Sequence, residues 1–137
     1  MYKKLKERRV TFLYIPLALY WIVLFIATTI PAPALPDILD FSDKIKHFIA
    51  YSGFAFLLSL SLHFQEKYKK FAQYFFLYSM LIVAIYGGLD EIHQNFVPNR
   101  MCEFWDWVAD LVGGVFGISI SVAFLRKYVP VKIFRPS

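Results

Sequence analysis

Four long apolar runs constrain this chain more than any other feature of its sequence. They cover residues 12–30, 47–64, 71–89 and 107–125, and each is close to 20 residues long. About 20 apolar residues in a helix cross a hydrocarbon core of roughly 30 Å while satisfying their own backbone hydrogen bonds. A soluble domain of 137 residues would need more polar surface than a chain with 58% apolar residues offers. We therefore expect an all-α membrane protein, a four-transmembrane-helix bundle in which residues 1–137 form a single domain.

The first run follows a basic segment, as the apolar part of a signal peptide does. Its 19 uncharged residues exceed the roughly 7–15 of a secretory apolar region, so we expect a retained helix. Pro16 lies near its start and predicts a bend, because proline has no amide donor.

Basic residues are distributed unevenly between the segments that flank the four runs. Twelve of the 15 lie in the N-terminal segment, the loop at residues 65–70 and the C-terminal tail, which fall on one side of a four-span chain. Short basic loops stay in the cytoplasm, so both termini are predicted to be cytoplasmic. Eight of the ten acids fall on the opposite, outer side. The basic charge thus suits the anionic surface of the lipid bilayer, and no nucleic acid partner is expected.

Polar side chains form helical stripes at the outer end of three spans. Asp43, His47 and Tyr51 are spaced i, i+4, i+8, and Asp106 and Asp110 are spaced i, i+4. The candidate site residues are, by span, Asp43, Lys44, His47 and Tyr51; Asp90, Glu91 and Gln94; and Arg100, Asp106 and Asp110. Gly113 and Gly117 continue the last stripe and predict a close helix–helix approach. The first span carries no comparable groups and is expected to act as scaffold.

Several of these residues have simpler explanations. Asp40, Ser42 and Asp43 are placed to cap the second span, and Asp106 can do the same for the fourth. The role of Arg100 could be limited to pairing with Glu91 or Asp106, which would neutralise the loop. His47 and Asp110 resist such explanations, because an ionisable group one turn inside a membrane helix needs a partner.

The stretches "DKIKHFIAYSGFAFLL" and "DEIHQNFVPNRMCEFWDWVADLVGGVFG" resemble the VanZ-like family of small bacterial membrane proteins. The similarity covers roughly residues 40 to 120, and Asp110 stands where the family often has asparagine. The resemblance implies a multi-pass protein of the bacterial cytoplasmic membrane, connected with resistance to glycopeptide antibiotics such as teicoplanin. It implies no settled reaction.

The polar residues are compatible with an enzyme that acts on a lipid-linked ligand. His47 would be the general acid or base, oriented by Asp43, with Asp90 and Glu91 in further catalytic roles. The ligand-binding residues would be Lys44, Tyr51, Gln94, Arg100, Asp106 and Asp110. Asp90, Glu91 and Asp106 could alternatively bind a divalent cation, and their oxygen ligands favour Mg²⁺, Mn²⁺ or Ca²⁺. The sequence identifies neither a metal nor a cofactor.

Two other functions remain open at the level of sequence. The site could bind a cell-wall precursor headgroup, a glycopeptide antibiotic or a protein without catalysing a reaction. Alternatively, the polar network could only hold the four helices together.

Overall fold

A computed structural model describes residues 2–31 and 43–128, and every regular element within these ranges is helical. In chain order the helices are α1 (Tyr2–Glu7), α2 (Ile15–Thr29), α3 (Asp43–Phe64), α4 (Lys69–Gln73), α5 (Phe75–Gln94) and α6 (Phe104–Tyr128). A π-helical segment, Val10–Tyr14, joins α1 to α2. The predicted all-α fold class is confirmed.

Four helical stretches of the described residues are long and apolar enough to cross a bilayer. They are Val10–Thr29, Asp43–Phe64, Phe75–Gln94 and Phe104–Tyr128, with mean hydropathies of 2.2, 1.4, 1.5 and 2.0. The protein is therefore a four-helix, multi-pass membrane protein. Which end faces the cytoplasm stays a prediction from the distribution of basic residues.

Two of the spanning helices begin several residues before the apolar runs that predicted them. α3 begins at Asp43 and not at residue 47, and α6 begins at Phe104 and not at residue 107. An apolar run marks the part of a helix that lipid surrounds, whereas the helix itself continues into the interface. The acids in these first turns also favour helix formation through the helix dipole. The predicted caps Asp40 and Ser42 lie outside the described residues.

The second and third spans are joined by more than a tight turn. The short helix α4 precedes α5, and the two are separated at Tyr74, whose φ and ψ are −108° and 34°. The third span therefore begins at Phe75, four residues later than the apolar run predicts. At the start of the first span, Pro16 follows the π-helical segment within the continuous helical stretch Val10–Thr29, so its missing amide proton leaves a carbonyl of the preceding turn without a helical donor.

The closest packing in the bundle is between α6 and α3. A β-carbon on Gly113 would collide with the carbonyl oxygen of Phe48, and one on Gly117 would collide with that of Ser52. The close approach that the two glycines predict is confirmed. It brings the acidic start of α6 against the first two turns of α3.

The N-terminal segment is tied to the connection between α3 and α4. Glu66 of that connection accepts Arg9 Nη1 at 2.8 Å and lies 3.5 Å from Lys6 Nζ. The hydrogen bond from Arg9 lowers the pKa of the Glu66 carboxyl below its usual value. The two basic segments thus share one end of the bundle, as their predicted placement on one side of the membrane requires.

Candidate functional site

The polar cluster lies at the opposite end of the bundle, where the end of α2, the start of α3, the end of α5 and the start of α6 meet. We call this the polar end. The cluster consists of Lys44, His47, Tyr51, Asp90, Glu91, Gln94, Arg100, Glu103, Asp106 and Asp110, of which seven are buried. It contains nine of the ten predicted site residues. The tenth, Asp43, is exposed at its edge.

A histidine–aspartate pair joins α3 to α6 at the centre of the cluster. His47 Nδ1 lies 2.9 Å from Asp110 Oδ1, and both side chains are buried. When Asp110 is ionised its carboxylate can only accept, so the hydrogen bond is then donated by Nδ1–H of His47. This bond fixes the ring through Nδ1. Asp43, one turn earlier on α3, is exposed and has a carboxylate oxygen within 4.8 Å of a His47 ring nitrogen, so its role in orienting His47 stays a prediction.

Glu91 lies next to this pair and is held from two directions. Its Oε1 is 3.7 Å from His47 Nδ1 and accepts a 3.4 Å hydrogen bond from Gln94 Nε2. Its Oε2 accepts the backbone N–H of Glu103 at 2.9 Å. Glu91 thus connects α5 to the residues that lead into α6, and only 3% of it is exposed.

Lys44 joins α3 to the start of α6 at the rim of the cluster. Its Nζ lies 2.9 Å from Glu103 Oε2 and 3.0 Å from Asp106 Oδ1. Asp106 is buried, whereas Lys44 and Glu103 are exposed. The predicted ligand-binding residues Lys44 and Asp106 are therefore engaged with each other.

Tyr51 and Asp90 form the deepest pair of the cluster. The Tyr51 hydroxyl donates to Asp90 Oδ2 at 3.3 Å, and each residue is more than nine-tenths buried. The residues of the predicted stripe on α3 therefore contact two different helices. His47 contacts α6, and Tyr51 contacts α5.

Arg100 donates hydrogen bonds to backbone carbonyl oxygens at the end of α2. Its Nη2 donates to the carbonyl oxygen of Ala27 at 3.0 Å, and its Nε donates to that of Ile30 at 3.3 Å. Residue 31 is a proline, so the Ala27 carbonyl has no helical N–H to accept. Arg100 also donates to Gln94 Oε1 at 3.1 Å. Its predicted partners Glu91 and Asp106 are not among these acceptors. The contacts instead connect the loop to the end of the first span, which was expected to act only as scaffold.

A partly open cavity of about 160 Å³ lies beside the cluster, between α2, α3 and the end of α5. Its lining combines apolar side chains with ionisable ones: Leu24, Ala27, Thr28, Asp43, Lys46, His47, Ala50, Tyr51, Asp90 and Arg100. Residues of α2 form one wall, so the first span is part of the site. The sequence reasoning missed this wall because its residues carry no charge.

Two groups of side chains within the described ranges could hold a metal ion. One is Asp43, His47 and Asp106, and the other is His47, Glu91 and Asp110. In each group the candidate ligand atoms lie within 4.8 Å of one another. Only the second group is completely buried, and it differs from the carboxylate set that the sequence suggested by including the histidine nitrogen.

Trp107 makes a further contact between α6 and α5 that the sequence analysis did not identify. Its Nε1 donates to the Ala84 carbonyl at 3.0 Å. Its ring lies beside Gly87 and Gly88 of α5. The two adjacent glycines were the available signal, because they leave room for a large side chain from another helix.

A bundle of four spanning helices with a buried polar cluster at one end defines this protein as a multi-pass helical membrane protein. The chain matches the VanZ/LLP1 family over residues 4–126, and it belongs to that family. The resemblance seen in the sequence is thereby confirmed, and the family is associated with glycopeptide resistance. No curated protein and no solved structure matches the chain.

Proposed function

We propose that this protein binds the headgroup of a lipid-linked cell-envelope ligand in the cavity at the polar end, on the outer side of the bacterial cytoplasmic membrane. The observation that carries the proposal is the mixed lining of the cavity. Leu24 and Ala27 offer an apolar wall, while His47, Tyr51 and Asp90 offer ionisable groups. An amphiphile at a membrane surface needs both kinds of contact.

The size of the cavity selects among the ligands considered from the sequence. A volume of about 160 Å³ holds roughly five waters at about 30 Å³ each, which suits one phosphate or a small amine-bearing group. A glycopeptide antibiotic is far larger than this space. The effect on glycopeptides associated with the family is therefore indirect in this proposal, through the lipid-linked ligand.

His47 is the residue best placed to act on a bound headgroup. Its Nδ1 is engaged with Asp110, which leaves Nε2 as the nitrogen available to a ligand in the cavity. A histidine in this state can accept a proton from a ligand hydroxyl or donate one to a leaving oxygen. Arg100 uses three of its five N–H groups within the protein, so two remain for an anionic group.

A matched pair of histidine variants separates this proposal from a purely structural role. His47→Gln alters the cavity, whereas His63→Gln alters a histidine of the same helix that lies at the opposite end. Each variant and the wild type are purified in micelles, and the retention of a lipid-linked cell-wall precursor is measured by native mass spectrometry. We expect His47→Gln to lose the precursor at unchanged thermal stability and His63→Gln to retain it.

Two outcomes would refute the proposal. In the first, His47→Gln retains the precursor as the wild type does. In the second, the variant loses stability and membrane abundance in proportion to its loss of binding, which assigns the network to holding the helices together. Teicoplanin susceptibility of cells that express each variant then shows whether binding carries the phenotype associated with the family.

A further inference from the structure

Three potential metal ligands converge from three different helices. They are a ring nitrogen of His47 on α3, a carboxylate oxygen of Glu91 on α5 and one of Asp110 on α6. His47 Nδ1 lies 2.9 Å from Asp110 Oδ1 and 3.7 Å from Glu91 Oε1. Ligands that share one ion at about 2.0–2.2 Å from it are themselves about 3–4 Å apart. Both distances from His47 are close to this spacing, and the Glu91 and Asp110 oxygens lie within 4.8 Å of each other.

The second oxygen of Asp110 points independently to a cation. The residue is fully buried, and its Oδ2 accepts no hydrogen bond from the residues that the structure describes. This oxygen lies 3.0 Å from the position that a β-carbon would take on Gly87, one helical turn before Glu91. A buried carboxylate oxygen without a partner is costly, and a bound cation removes that cost.

The charges around the three ligands leave an excess of negative charge. Lys44 is paired with Glu103 and Asp106, and Arg100 donates to carbonyl oxygens and an amide. Even a doubly protonated His47 would therefore offer one positive charge to the two carboxylates of Glu91 and Asp110. A divalent ion in place of the Nδ1 proton would balance both.

We propose that His47, Glu91 and Asp110 bind one divalent transition-metal ion, such as Zn²⁺ or Mn²⁺. The imidazole nitrogen favours Zn²⁺ over Mg²⁺ and Ca²⁺, which prefer ligand sets made of oxygen alone, while the two carboxylates also suit Mn²⁺. Gln94 Nε2 and the N–H of Glu103 orient the Glu91 carboxylate, as outer hydrogen bonds do at protein metal sites. Three protein ligands leave at least one coordination position open to water or to another ligand. This inference goes beyond headgroup binding, because the ion would bind without a lipid.

The test uses the full chain purified in micelles, freed of metal by a chelator and titrated with Zn²⁺, Mn²⁺ or Mg²⁺ alone. Bound metal is measured by mass spectrometry of the elements after removal of free ions. We expect one Zn²⁺ or Mn²⁺ per chain, with affinity reduced at least tenfold in Glu91→Gln and in Asp110→Asn, which preserve the side-chain shapes. Asp43→Asn should keep the ion, because Asp43 belongs only to the alternative group with His47 and Asp106.

Measurements on the wild type alone can refute the proposal, so the test does not depend on whether every variant folds. Absence of stoichiometric metal, or an unfolding temperature that is the same with and without Zn²⁺ and Mn²⁺, refutes the site. Loss of the ion in Asp43→Asn together with its retention in Glu91→Gln also refutes it, in favour of the alternative group. Since metal alone is the probe, a failure to bind lipid headgroups leaves this result unaffected.

Discussion

Replacing Gly117 with alanine tests whether the close contact between α6 and α3 positions the site. The new β-carbon would collide with the backbone carbonyl of Ser52. Alanine is favoured over glycine within a helix by about 0.5–1 kcal/mol, whereas an extra methyl group in a packed interface costs about 1–3 kcal/mol. No side-chain rotation can relieve a clash with backbone, so the upper part of that cost applies. We expect Gly117→Ala to lower the free energy of unfolding by about 2 kcal/mol.

Gly88→Ala is the matched control for this prediction. A β-carbon on Gly88 would lie 3.6 Å from Trp107 Nε1, which is ordinary van der Waals contact. That variant should be as stable as the wild type, or more stable by up to about 1 kcal/mol. Reversible unfolding in mixed micelles measures both variants. If Gly117→Ala were as stable as Gly88→Ala, the explanation of the α3–α6 interface by its glycines would be wrong.

Three further predictions concern contacts away from that interface. Arg100→Lys should reduce stability by about 2 kcal/mol, because a single ammonium group cannot reach all three acceptors of the guanidinium; unfolding measurements that show no loss would contradict this. Ser59 donates to Ser121 at 2.6 Å, and a double-mutant cycle to alanine should give a coupling of about 0.6 kcal/mol, as for hydrogen bonds within other membrane bundles. NMR titration should find the pKa of Glu66 below its usual value of about 4.3, and Arg9→Gln should raise it. The folded pKa is the lower one, so this stabilisation is present above the unfolded value and is lost as the pH falls through the folded value.

The fold could be predicted from the sequence because a bilayer permits few alternatives. Each apolar run had to be a helix, and Gly113 and Gly117 indicated which face of α6 would pack closely. The helix ends could not be predicted equally well. Hydropathy reports where lipid surrounds a helix, whereas Asp43 and Phe104 begin helices that extend into the interface.

Which residues belong to the site was easier to predict than which of them contact each other. Helical spacing placed His47 and Tyr51 on one stripe, but only the relative rotation and depth of the helices decide that His47 meets Asp110. Sequence spacing contains no such information between helices. The contacts of Arg100 were missed for another reason, since backbone carbonyls leave no trace in a pattern of side chains. Pro31 was the one available signal, because it removes the N–H that Ala27 would otherwise accept.

The order of residues along α6 shows why holding the bundle together and forming a site are not separate tasks here. Asp106, Asp110, Gly113 and Gly117 follow one another on a single helical face, with the acids at the polar end and the glycines deeper in the bundle. The glycines let α6 approach the backbone of α3, and only that approach lets Asp110 reach His47 at 2.9 Å. Loss of a deep glycine should therefore disturb the acid–histidine pair, although the glycine touches no part of the cluster. Conversely, removing the charge of Asp110 should leave the glycine contact intact, so the effects of the two substitutions on stability and on binding can be measured separately.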